Sequence, residues 1–197
     1  MNELMVNATG LAVILAVAVT IAVILFILLS SDPGRTIYYF FVGPFTTRFY
    51  FGNLLNSAIP LLFTGLGVAM AFKSSVFNIG GEGQIYAGAV MTTVVCLALP
   101  NLPGLAGGFL AVVVGLISGA LLAGISGYLR MKWDIDVLIS SFLISGAAVL
   151  ILNYFITGPL DDPESSLLAT RKIADQYRLL QIFRPSKLDI SIVFALL

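Results

Sequence analysis

The sequence predicts an all-α, polytopic integral membrane helical bundle. It has five full transmembrane helices, the start of a sixth, and a third helix broken by glycine. Three observations carry this. Hydrophobic residues make up 59% of the chain and charged residues 10%, against about 45–50% and 25% in soluble domains. The apolar excess is gathered into long runs, the first of which, Leu11–Leu29, is interrupted only by Thr20. At 1.5 Å per residue that run is about 28 Å long, close to a bilayer's hydrocarbon core. The runs are separated by turn-rich stretches such as Ser31-Asp32-Pro33-Gly34 and Pro100-Asn101-Leu102-Pro103-Gly104.

Composition also excludes. The net charge is zero, so a nucleic acid finds no electrostatic footprint. The single cysteine, Cys96, can form neither an internal disulfide nor a metal cluster. The chain has no histidine, which removes the commonest general base and metal ligand. Neither a Ser–His protease nor a His-Glu-x-x-His metalloprotease is compatible with that. Asp134 and Asp136 stand at a helix start, where capping accounts for them better than a metal pair does. No catalytic residue, metal or cofactor is expected.

The elements follow in order. Residues 11–29 form a retained anchor rather than a signal peptide, because Met-Asn-Glu lacks a cation and no small-x-small cleavage site follows. Tyr38–Phe51 holds eight aromatic residues but is broken by Gly43, Pro44 and Arg48. It reads as an interfacial segment or as a loop packed on the helix ends. The second span covers 54–73, with Pro60 near its start and Lys73 closing it. The third covers 77–99 and the fourth 105–129, which Arg130 and Lys132 follow, cations suited to a helix C-terminus. Asp136 is placed to cap the fifth, 137–157. Between Gly158 and Arg184, Ile173, Tyr177, Leu180 and Phe183 recur near helical spacing, which predicts a short amphipathic helix. The apolar run from 188 to 197 is too short to cross, so the 1–197 domain is expected to be the N-terminal part of a longer one.

With the N-terminus in the cytoplasm, Lys73, Arg130 and Lys132 lie inside, and Asp161, Asp162 and Glu164 lie outside. The short loops then obey the positive-inside rule. The long loop's Arg171, Lys172, Arg178, Arg184 and Lys187 run against it. The short loops decide, because charges close to helix ends weigh most.

Two patterns stand out within the spans. In the fourth, Gly107, Ala111, Gly115, Gly119, Ala123 and Gly127 recur every four residues. Such a stripe permits the close backbone approach that drives helix packing in lipid. In the third, Asn78, Gly80, Gly81, Glu82, Gly83 and Gln84 fall together. Ile85–Leu99 alone is roughly 22 Å as helix and too short to cross, so part of 78–84 enters the membrane. Glycines and a carboxylate there are tolerated only beside protein or a watery cavity. In one reading Asn78, Glu82 and Gln84 border a polar pathway, as broken helices do in transporters. In the other, Glu82 binds a basic residue or backbone amides and pins a turn. A phosphate loop is a poor third, since no lysine follows the glycines. In the fifth span Asn153, with Ser140, Ser141 and Ser145, suits hydrogen bonding between helices, with Asn153 also a candidate for the pathway.

The stretch "IPLLFTGLGVAMAFKSSVFNIGGEGQIYAGAV", Ile59 to Val90, resembles the permeases of ABC importers for nucleosides and simple sugars. That family shows a proline-started span, a Gly-Leu-x-Val-Ala-x-Ala-Phe ending and then Phe-Asn-Ile-Gly-x-Glu-Gly-Gln. Here these are Pro60, Gly65–Phe72 and Phe77–Gln84. Leu152-Asn153-Tyr154 and the Gly158-Pro159-Leu160 exit are also similar. The family's Asn-Glu-Val-Ile appears here as Asp134-Ile135-Asp136-Val137, so its asparagine is missing. The resemblance implies a permease in the cytoplasmic membrane with three protein partners. These are a second permease subunit, an extracytoplasmic solute-binding protein, and a cytoplasmic ABC ATPase that binds the ATP. The Gly-Gly-Glu-Gly-Gln wording favours a nucleoside as solute over a simple sugar. Family members are longer, with a coupling helix for the ATPase in a second half. The rival of another class is a structural or assembly subunit with no solute path.

Overall fold

The computed structural model describes residues 2–196, with side chains from residue 8 onward. Met1 and Leu197, the ends of the expected domain and of its sixth run, lie outside the described residues. The elements are α1 (Asn2–Leu29), α2 (Pro33–Phe41), α3 (Arg48–Lys73), α4 (Gly81–Ala98), α5 (Gly104–Trp133), α6 (Val137–Thr157) and α7 (Ser191–Leu196). Short 3₁₀ turns stand at Gly43–Phe45 and Asp175–Tyr177.

Four helices are long and apolar enough to cross a membrane: α1 from Ala8, α3, α5 and α6. The chain is therefore a polytopic helical membrane protein. Of the five full spans expected from the sequence, only α4 is not among these four, because Glu82 and Gln84 in its first turn lower its apolarity. The structure also corrects the broken third helix. Gly80 stands at the N-cap and Gly81 and Gly83 in the first turn of an unbroken 18-residue helix. The first turn has no ladder partner for its N–H groups, so glycine there interrupts no bond. The amphipathic helix expected between Gly158 and Arg184 does not form either. Ile173 and Tyr177 pack in one small core, Phe183 meets the Phe51 ring, Leu180 is exposed, and only Asp175–Tyr177 makes a helical turn.

Caps delimit the helices. Asp32 Oδ1 accepts from Arg35 N ahead of α2. Asp136 Oδ1 accepts from Leu138 N at 2.8 Å and starts α6 at the predicted residue. Asp134, with φ 54°, ends α5 in the left-handed region, a conformation its short polar side chain tolerates. Pro60 lies inside α3, and its carbonyl accepts from Thr64 Oγ1 at 2.7 Å.

The chain forms two compact units. The first runs up to Ala58 and includes Gln181–Ile192. Within it the Phe26 and Phe40 rings meet at 5.0 Å, Asn53 Oδ1 accepts from Lys187 N, and Gly52 lies directly under Ser186. The second runs from Ile59 to Leu180 with the residues after Ile192. Its centre is α4 packed against α5 and α6.

Small residues set the α4–α5 seam. A Cβ on Gly119 would lie 3.1 Å from the Gln84 carbonyl, and one on Gly88 would lie 3.2 Å from the Gly115 carbonyl. Thr92 Oγ1 bonds the Ala111 carbonyl at 3.2 Å. Each step of four residues forward on α4 is thus four back on α5, so the helices are antiparallel. Gly107 continues the seam against the Tyr177 ring, which closes a small core with Cys96 and Ala111. Tyr177 Oη also bonds the Leu99 carbonyl, and Gln176 Nε2 donates to the carbonyls of Pro100 and Leu102. These bonds satisfy the turn between α4 and α5 from outside. At the other end the seam runs out where α4 begins: Ala123 is half-buried and a Cβ on Gly127 would meet nothing.

Candidate functional site: the start of α4 and its face toward α6

A helix N-terminus leaves its first N–H groups unpaired, and α4 has no side-chain N-cap. The gap is filled from α6. Ser141 Oγ accepts from Ile79 N at 3.2 Å, and Ser145 Oγ accepts from Gly83 N at 2.8 Å. The serines are one turn apart on α6 and both are buried. The glycines are what allow this approach. A Cβ on Gly83 would stand 2.7 Å from Ser145 Cα, and one on Gly80 would stand 2.8 Å from the Ser141 carbonyl. Both contacts advance along both chains together, so α4 and α6 run in the same direction.

Asn78 and Gln84 come together. Asn78 Oδ1 accepts from Gly80 N at 2.8 Å and from Gln84 Nε2 at 3.2 Å, which folds the Phe77–Gly80 link onto the helix start. Glu82 stands apart. It is exposed and makes no hydrogen bond or ion pair among the described residues. Asn153 joins neither group: its Oδ1 accepts from Tyr86 Oη at 2.5 Å. Nothing in the sequence marks Tyr86 as its partner, since the two lie 67 residues apart. The one local signal is position, one turn after Glu82.

Glu82, Tyr86, Ala89 and Thr93 fall at helical spacing on one face of α4. The adjacent face, Gly83, Ala87 and Val90, is buried. The first face is open, with Glu82 and Ala89 exposed and Tyr86 and Thr93 half-buried. Its chemistry differs from that of the neighbouring helices. α5 presents Phe109, Leu116 and Leu121 outward, and α6 presents Phe142, Leu143 and Leu150, whereas the only large exposed aliphatic on α4 is Ile85. A face of carboxylate, phenol, methyl and hydroxyl is not one that lipid accepts cheaply. A cavity of about 210 Å³ lies elsewhere, between Phe77, Arg130, Asp136 and Leu138. It includes none of Asn78, Glu82, Gln84 and Asn153. No group of three or more metal-ligating side chains occurs among the described residues.

The chain is 32% identical over 158 residues to the glucose ABC transporter permease of Haloferax volcanii, covering 80% of this chain and 41% of that one. It is 34% identical over 171 residues to the probable riboflavin import permease of Treponema pallidum, covering 87% and 45%. It is 30% identical over 160 residues to the guanosine ABC transporter permease of Bacillus subtilis, covering 79% and 45%. The chain thus spans less than half the length of each of these relatives. No solved structure matches it. Residues 50–197 match the family described as branched-chain amino acid transport system / permease component. That match takes in α3 from its third residue, α4 to α7 and the whole open face of α4, and the chain belongs to this family of membrane permeases.

Proposed function

We propose that this chain is the N-terminal part of the permease of an ABC importer for nucleosides, set in the cytoplasmic membrane with its N-terminus inside. α4 completes a fifth crossing, and its open face borders the solute path. Glu82 carries the reading. An unpaired, accessible carboxylate in the first turn of an intramembrane helix needs water or solute beside it, and it holds no basic residue or amide that would make it a turn pin. Asn78 and Gln84 hold the entrance in shape, Asn153 adds a polar group further along, and the Gly107–Gly119 part of the stripe keeps α5 close behind. The chain itself performs no chemistry. A partner ATPase binds ATP, a second permease subunit completes the path, and an extracytoplasmic binding protein delivers the solute.

Similarity to the guanosine permease supports a nucleoside. A simple sugar is the second reading, favoured by similarity to the glucose permease. The test is Glu82→Gln in the intact importer. Uptake falls at least tenfold while the complex assembles at wild-type yield. Normal uptake would remove Glu82 from the path. A change confined to complex stability would make the chain an assembly subunit instead.

A further inference from the structure

A solute path along α4 leaves Tyr86 without a role, and the role inferred for it rests on that path. The serine contacts Ile79–Ser141 and Gly83–Ser145 are each 62 residues apart in sequence. Continued along both helices, that register sets Tyr86 beside Ala148. Its hydroxyl instead reaches Asn153, more than a turn further on. The phenol hydroxyl is thus drawn toward the C-terminal part of α6.

The bond uses one end of the Asn153 amide. The other end makes no hydrogen bond among the described residues, whichever way the amide is turned, and it is not fully enclosed, since Ser126 Oγ is the only unpartnered side-chain polar atom sealed from solvent among them. Tyr86 and Asn153 are both half-buried. One turn back on the same face of α4 stands the unpaired Glu82. An aromatic plane, an amide held at one end with the other end free, and a carboxylate thus share one accessible strip.

We infer that Tyr86 is a specificity-determining residue of the path, and that with Asn153 it recognises a flat, hydrogen-bonding heteroaromatic ring. The phenol ring offers a surface on which such a ring can stack. The fixed amide pairs with a ring-edge donor or acceptor. A pyranose has no flat π face and gains little from such a surface. This selects the aromatic base over the sugar as the part that is read.

The test uses the complete importer reconstituted in liposomes, with guanosine, riboflavin and glucose as probes. In an importer otherwise cleared of tryptophan, Trp133→Phe included, Tyr86→Trp keeps a ring N–H that can reach Asn153 and adds a local fluorophore. Guanosine or riboflavin should quench it saturably and glucose should not, and adding Asn153→Leu should raise the half-quenching concentration about tenfold, as loss of one hydrogen bond does. Absence of saturable quenching by either heterocycle, or equal quenching by glucose, overturns the inference. Tyr86→Phe, the mildest change, covers the case where tryptophan does not assemble: it should lower guanosine or riboflavin uptake about tenfold with normal complex yield. A fall in yield that matches the fall in uptake would make Tyr86 a strut and overturn the inference too. If Glu82→Gln blocks uptake while every Tyr86 variant behaves as wild type, the path stands and only this inference falls.

Discussion

At Gly83 a single hydrogen atom in place of a side chain decides how two helices meet. The N–H of Gly83 is buried against Ser145 Oγ, and there is no room for a methyl group. Ser145→Ala leaves that N–H unsatisfied and is expected to cost about 1–3 kcal/mol. Gly83→Ala overpacks the same contact and should cost a similar 1–3 kcal/mol. The double variant should cost less than the sum, because both changes remove one interaction. Denaturation in mixed micelles reads all three. Gly127→Ala, which meets open space, should leave stability unchanged or slightly raised, since alanine is the better helix former. Equal losses at 83 and 127 would contradict the contact described. Asn78 and Gln84 were legible in the sequence as members of one polar cluster, and the bond between them, across six residues, was not. The Tyr86–Asn153 pair was not, because nothing local links two residues on different helices.

Helices show the same division. α6 begins and ends where the sequence predicts, at Val137 and Thr157, because an apolar run and an aspartate cap are both local signals. α5 continues to Trp133, four residues past the predicted end at 129: apolarity marks the lipid-facing length, while the helix continues through Arg130-Met131-Lys132-Trp133. Tyr177 failed as a helical marker because it is used instead to cover Gly107 and the turn after α4. The small-residue stripe was legible, and its limit was not, since the limit depends on where α4 starts. The seam predicts an asymmetry within α5. Gly115→Leu drives a side chain into Thr92 and the Gly88 backbone, whereas Gly124→Leu enters open space. The first should reduce the yield of folded protein severalfold and the second should not. Equal yields would mean that α4 and α5 do not pack along this stripe.

Across the whole molecule, the lipid-like surfaces of α5 and α6 and the polar strip of α4 belong to different solvents. On the proposed function the strip has water, solute or more protein beside it. The measurement that tests this most directly is cysteine accessibility in the intact importer. Cys96 is first replaced by serine, and single cysteines are then placed at Ala89 and Thr93 on α4 and at Phe109 and Leu116 on α5. A membrane-impermeant maleimide should modify 89 and 93 at least tenfold faster than 109 and 116, and the transported solute should slow the reaction at 89 and 93 alone. Equal, slow modification at all four positions, unaffected by solute, would place the α4 face in lipid or in a sealed interface and contradict a solute path along it.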